Sequence, residues 1–271
     1  MYPLLFKIGS IPVETYYVVW FTALSLMLVW TVRRLSLYGI DDGEGRRVLS
    51  WAFLGMLGGA RAFEYVWNFP LYRNTPSLLL DLRQGGLSEV GAVLGATVTV
   101  LVLCRRNPKV PFSRLCDAAC LPVLSAMALG RWGCFFAGCC VGIRSAFPFA
   151  LHFPYDALTV TRHPTQLYYS FSAAAIFAVL FFFERRILRR GVPRGALLAP
   201  LGLILCSAMR LSIDPLRAEG LSQASGLSLS HWVLLAGLPL ETVWFWVSWR
   251  GFSGRFPRER RSGKTEQARC P

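Results

Sequence analysis

Charge is scarce in this chain. Only 16% of its 271 residues are charged, and acids are the rarer sign, with 15 Asp and Glu against 29 Lys and Arg. A soluble domain averages about 25% charged residues. With 54% of the chain hydrophobic, a soluble class is excluded and a polytopic membrane protein is expected. The N-terminal MYPLLFKIGSIPVETYY lacks a basic n-region and a small-residue cleavage site, so no removable signal peptide is read there. No internal repeat is evident. Standard C-x2-C spacing is also missing, so neither a metal site nor a cofactor is expected.

The eight cysteines do not make a disulfide framework, because that counting rule belongs to small secreted domains. Cys104, Cys116, Cys120 and Cys206 lie in or beside apolar segments and act as small core hydrophobes. Cys270 falls in a polar tail. Only Cys134, Cys139 and Cys140 cluster, and plain packing, a disulfide and a nucleophilic thiol all remain open for them.

A formal charge of +14 raises the question of nucleic acid, but the basic residues alternate with apolar runs. A helix needs roughly 20 apolar residues to cross a bilayer, and seven segments qualify, near 11–32, 48–67, 87–104, 115–136, 166–183, 195–213 and 230–249. Arg33, Arg34, Arg46 and Arg47 follow the first. Arg105, Arg106, Lys109 and Arg114 follow the third, and Arg185, Arg186, Arg189, Arg190 and Arg194 the fifth. Seven more lie from Arg250 to Arg269. The opposite side has only Lys7, Arg73, Arg83, Arg144, Arg162 and Arg217. The excess of cations on one side places the N-terminus outside and the C-terminus in the cytoplasm. The expected fold is therefore all-α, a seven-helix transmembrane domain over residues 1–250, followed by a basic, disordered cytoplasmic tail at 251–271.

Three arginines interrupt the spans: Arg61, Arg131 and Arg210. A guanidinium stays charged, so its place in hydrocarbon marks a polar cavity, a partner or an anionic ligand. In this orientation all three fall in the outer third of outward-running spans. Tyr16, Glu89, His163 and His231 open spans on the same face, and Glu64 lies one turn from Arg61 as a possible partner. Gly55, Gly59, Gly91 and Gly95 have the spacing of close helix packing. Gly85, Gly86, Gly138 and Gly142 instead flank span ends where the backbone must bend or approach a ligand.

From Gly130 to Gly142, GRWGCFFAGCCVG resembles the signature of the prolipoprotein diacylglyceryl transferase family. FLGMLGGARAFEYVWNFP, GGLSEVGAVLGA, FPFALHFP, RHPTQLYY, the Arg210-x-x-x-Asp214-x-x-Arg217 pattern and GLSLSHW follow in the family's order. The resemblance implies seven helices with the N-terminus outside, in the bacterial inner membrane. It implies transfer of a diacylglyceryl group from phosphatidylglycerol to the lipobox cysteine of a preprolipoprotein, with membrane lipid and signal peptides as partners and no nucleic acid. Arg131 and Arg210 match the family's functional arginines, Tyr16 its tyrosine at the first span, and Gly142 the glycine closing the signature. Asp214 stands where the family has glutamate. Arg61, His163, Gln166, Asp214, Cys134 and Gly142 are the expected substrate-binding residues, and Arg131, Arg210, Tyr16 and Glu89 the expected catalytic ones. Departures are equally specific. Val90 replaces the family's histidine, Cys134 its signature asparagine, and Ala137 and Cys139 a second asparagine and a glutamate. Glu89 and His163 are then the bases available on that face. These departures leave two other readings open, a different acceptor served by the cysteine cluster and a non-catalytic phospholipid-binding relative.

Overall fold

The computed structural model describes residues 4–8, 11–74, 88–154, 156, 157, 159–192, 195–218 and 229–253. Seven long helices dominate: α1 (Thr15–Arg34), α2 (Asp42–Trp67), α4 (Glu89–Arg106), α5 (Phe112–Ala137), α6 (Thr165–Leu188), α7 (Leu198–Ile213) and α8 (Leu229–Ser253). A short α3 (Phe69–Asn74) follows α2. Among the described residues, five segments are long and apolar enough to cross a membrane: α1, α5, α6, α7 with the turn after it, and α8. Charge sets α2 and α4 apart, Arg61 and Glu64 within α2 and Glu89, Arg105 and Arg106 at the ends of α4. Phe21, Leu54, Phe182 and Leu240 stand exposed on outward helix faces, as a lipid-facing surface requires.

Successive long helices run in opposite directions. Gly59 of α2 meets Gly91 and Gly95 of α4, whereas Gly55 meets Gly95 and Thr99. Gly133 of α5 lies against Tyr16 of α1, while Arg34 at the far end of α1 donates to the Ala118 carbonyl. Tyr169 of α6 reaches Asp214 just after α7, and Ser207 of α7 reaches Glu241 of α8.

Four differences from the sequence reading have local causes. The first span begins at Thr15 rather than 11, because Ile11–Glu14 pairs antiparallel with Leu4–Ile8 as a hairpin, β2 with β1. Pro12 lacks a backbone donor and suits such a strand, not a helix interior. Helix α2 starts at Asp42, well before 48, because the Asp41 side chain accepts the Glu44 amide at 2.9 Å and acids fill the first turn. Helix α6 runs on to Leu188, a turn past 183. A second hairpin, β3 (Leu151–His152) with β4 (Thr161–Arg162), lies between α5 and α6. The fold is thus helical with two small hairpins, not purely α.

At one end of the bundle a polar core ties five segments. Arg34, placed by the sequence among the exposed cytoplasmic charges, is buried. Its guanidinium forms an ion pair with Glu184 and its Nε donates to the Ala118 carbonyl at 2.9 Å. Tyr38 donates its hydroxyl to the same Glu184. Nearby, Asp117 accepts the Leu197 and Ala199 amides at 2.8 Å each, capping α7 across 80 and 82 residues of sequence. Without that carboxylate the first amides of α7 would be buried and unsatisfied. Gly85, Gly86, the Glu89 side chain and the tail after Ser253 lie outside the described residues.

Candidate active site

The opposite end gathers the starts of α1, α4, α6 and α8 and the ends of α2, α5 and α7. Gly130 and Gly133 bring the first turns of α1 against α5. A Cβ at Gly130 would stand 2.7 Å from the Trp20 ring, and one at Gly133 3.3 Å from the Tyr16 carbonyl. That approach sets Tyr16 close enough to act electrostatically with Cys134, Cys139 and Cys140.

Two of the three intramembrane arginines join one network. The Arg131 guanidinium sits 4.6 Å over the Tyr169 ring. Tyr169 donates its hydroxyl to Asp214, and Asp214 Oδ2 lies 3.7 Å from Arg210 Nε. Asp214 follows Arg210 by one helical turn, so the pair shares a face. Buried Asp214 therefore holds a tyrosine and an arginine together, and that tyrosine carries the second arginine on its ring. A ring face attracts a cation by its quadrupole without consuming the guanidinium donors. Arg131 thus keeps N–H groups for an anion.

Beside this network an apolar groove of about 510 Å³ runs between α2, α4 and α8. Phe63, Trp67, Val90, Leu94 and Val233 line it, with Glu64 and Arg210 as its charged members. Val90 is part of this apolar wall. Arg61 has its guanidinium 5.7 Å over the Tyr72 ring. Glu64 accepts from Asn68 Nδ2 at 2.7 Å. Glu89 opens α4, behind a cap in which the Ser88 side chain accepts the Gly91 amide at 3.3 Å.

The loop after α5 is clamped from both sides. Gly142 donates its amide to the His163 carbonyl at 2.9 Å, and Ile143 to the Leu216 carbonyl at 2.8 Å. A Cβ at Gly142 would fall 2.6 Å from the His163 oxygen and 2.8 Å from that of Leu216, so only glycine fits between two backbones. Buried Gln166 donates Nε2 to the Cys139 carbonyl at 2.6 Å, and Thr165 its hydroxyl to the Cys140 carbonyl at 2.7 Å. His163 Nδ1 lies 3.1 Å from the Tyr168 hydroxyl. Outside the bundle Arg162 forks onto Asp156 at 2.7 and 2.8 Å. Those hydrogen bonds hold the Asp156 carboxyl below its ordinary value.

The structure thus places Arg131, Arg210, Asp214, Tyr16 and Cys134 around one end of α5 to α7, with Gly142, His163 and Gln166 in the adjoining clamp. Cys134, Cys139 and Cys140 are free thiols, not a disulfide. Tyr169 and Trp20 went unnoticed as site residues. RHPTQLYY offered Tyr169, but the sequence alone does not show which of its two tyrosines turns inward.

Cations linked through an aromatic ring and a carboxylate beside an apolar groove, at one end of a helical bundle, are the apparatus of a membrane-embedded transferase. The family model described as prolipoprotein diacylglyceryl transferase matches residues 3–247, and the chain belongs to that family. A phosphatidylglycerol–prolipoprotein diacylglyceryl transferase of Azotobacter vinelandii is 31% identical over 190 residues, 68% of this chain and 71% of the relative. One from Synechococcus elongatus is 26% identical over 254 residues, covering 90% and 87% of the two chains. Another, from Nostoc sp., is 25% identical over 272 residues, covering 97% and 95%.

Proposed function

We propose that the chain moves a diacylglyceryl group from phosphatidylglycerol to the lipobox cysteine thiol of a preprolipoprotein, at the outer face of the bacterial inner membrane. In this reading all seven long helices span the bilayer, the N-terminus lies outside and the C-terminus in the cytoplasm. Support for the orientation comes from Arg33, Arg34, Arg105, Arg106, Arg185, Arg186 and Arg250, which close α1, α4, α6 and α8 at the end away from the site.

The connected pair of arginines carries the proposal. The acyl chains occupy the groove beside Phe63 and Leu94, and the phosphate meets Arg210 and Arg131. The acceptor thiolate attacks the glyceryl carbon bonded to the phosphate oxygen. A C–S bond forms as the C–O bond breaks, and glycerol phosphate departs with the electron pair. Charge grows on the leaving phosphate, so arginine forks held ready for it stabilise the transition state more than the ground state. Asp214 and Tyr169 hold the two guanidinium groups in place.

The test is complementation in a bacterium depleted of its own transferase, followed by thioether lipidation of a reporter lipoprotein. Lipidation is expected with this chain and a strong loss with Arg131→Lys, because lysine keeps the charge but not the fork. No lipidation by correctly inserted protein would overturn the reading.

A further inference from the structure

The three thiols beside Arg131 remain unused by that chemistry. As a covalent way-station they fail on leaving-group grounds, since a diacylglyceryl thioether on the enzyme would have to expel an alkanethiolate from an unactivated carbon. Their geometry serves another purpose.

The sulfur atoms of Cys134, Cys139 and Cys140 all lie within 4.8 Å of one another. Ligands at about 2.3 Å from a tetrahedral zinc ion stand about 3.8 Å apart, so three sulfurs already gathered this closely need little movement to share one cation. Sequence spacing argued against this, since C-x4-C-C fits no standard pattern. The backbone removes the objection. Gly138 leaves α5 at φ 73°, and Cys140 then takes φ 57°, the one non-glycine positive φ among the described residues. A left-handed conformation is costly for a residue with a side chain, and it persists only where the surroundings enforce it. Here Gln166 and Thr165 grip the carbonyls of Cys139 and Cys140. The strained turn folds two consecutive thiols back toward the one on the helix.

We propose that Cys134, Cys139 and Cys140 form a three-thiolate site for a thiophilic cation, zinc(II), with its fourth position open to an outside thiol. The donor set is all sulfur, which selects against magnesium and calcium. Three protein ligands are the pattern of zinc sites that keep one position for water or substrate. Cys134 is buried, whereas Cys139 is open to the surface, so the cluster has an approach side. The Arg131 guanidinium lies close enough to Cys134 to act on it by its charge. It offsets part of the negative charge of three thiolates.

That the outside thiol is the lipoprotein cysteine rests on the transferase reading; cation binding does not. A thiol entering the fourth position displaces water and gives its proton to solvent, because a coordinated thiol is held as thiolate. Its sulfur then takes the glyceryl carbon as the C–O bond breaks and the Zn–S bond is released. The thiol then needs no side-chain base.

The experiment uses the full chain, purified in detergent under reducing conditions and titrated with cobalt(II) as the optical stand-in for zinc. One cobalt per chain with thiolate charge-transfer bands is expected, bleached by added zinc. Each of Cys134→Ser, Cys139→Ser and Cys140→Ser abolishes the bands, while Cys116→Ser and Cys206→Ser keep them. Circular dichroism checks the fold, and exposed Cys139→Ser carries the test if Cys134→Ser does not fold. Absent bands, or bands indifferent to all three substitutions, would overturn the site. A lipobox peptide is expected to shift the cobalt bands, and its Cys→Ser version to leave them alone. Shifts from neither or from both overturn the open position. If the cobalt bands appear and lipidation fails in the depleted bacterium, the transferase reading falls and the metal site stands.

Discussion

Tyr169 is the hinge of the cationic network, because it touches one arginine and the carboxylate that faces the other. Its ring supports Arg131 and its hydroxyl bonds to Asp214, which also faces Arg210. Tyr169→Phe keeps the ring and removes the bond to the carboxylate, separating the two roles. A hydrogen bond to a charged group contributes about 1.5–3 kcal/mol, so kcat for lipidation is expected to fall roughly 10- to 100-fold with little change in KM. Steady-state kinetics in mixed micelles measure this, and an unchanged kcat refutes the positioning role. At this scale the sequence was partly readable. Arg131, Arg210 and Asp214 stood out because charge in apolar surroundings is anomalous. Tyr169 did not, since a tyrosine at a span end is ordinary, and only the rotation of α6 turns it inward while Tyr168 goes to His163. The closeness of the three cysteine thiols was hidden for a related reason. Spacing along the chain cannot show a reversal made by Gly138 and a left-handed Cys140.

Among the elements, α2 and α4 approach more closely than side chains allow. A Cβ at Gly95 would lie 2.1 Å from the Gly55 carbonyl oxygen, and one at Gly91 2.3 Å from that of Gly59. Backbone contact of this kind was legible from the two GxxxG pairs, because small residues four apart share a helix face. The groove depends on it, since Phe63 on α2 and Val90 and Leu94 on α4 form adjoining walls. Gly58 supplies a control on the same helix, with nothing within 4 Å of its added Cβ. Gly95→Ala forces the helices apart, and overpacking of this sort costs about 1–3 kcal/mol. Gly58→Ala meets no neighbour and gains up to about 1 kcal/mol of helix propensity. Thermal unfolding in one detergent should therefore show Gly95→Ala well below the parent and Gly58→Ala level with it or above. Equal midpoints for the two variants would mean that the glycines do not set the packing.

For the whole molecule, the two ends of the bundle hold charge differently. The site end gathers Arg131 and Arg210 around Tyr169 and Asp214, whereas the other satisfies Arg34 internally through Glu184 and Tyr38. Helix number and alternating direction were legible because basic blocks and apolar runs repeat along the chain. The Arg34–Glu184 pair was not. Its partners lie 150 residues apart, and each reads alone as a solvated charge at a span end. A buried pair need not add net stability, because desolvation offsets most of its attraction, yet removing one partner strands the other and costs about 3–5 kcal/mol. Glu184→Leu leaves Arg34 buried without its counter-charge and should lower the unfolding midpoint more than any single change proposed above. Arg34→Met with Glu184→Leu removes both charges at similar volume and should recover most of that loss, although the Tyr38 hydroxyl still loses its acceptor. The comparison is a double-mutant cycle read by thermal unfolding in detergent. Additive losses in the double variant would show that the two charges stabilise the fold separately. Recovery would show that they are kept as a pair, coupling α1 to α6 far from the chemistry.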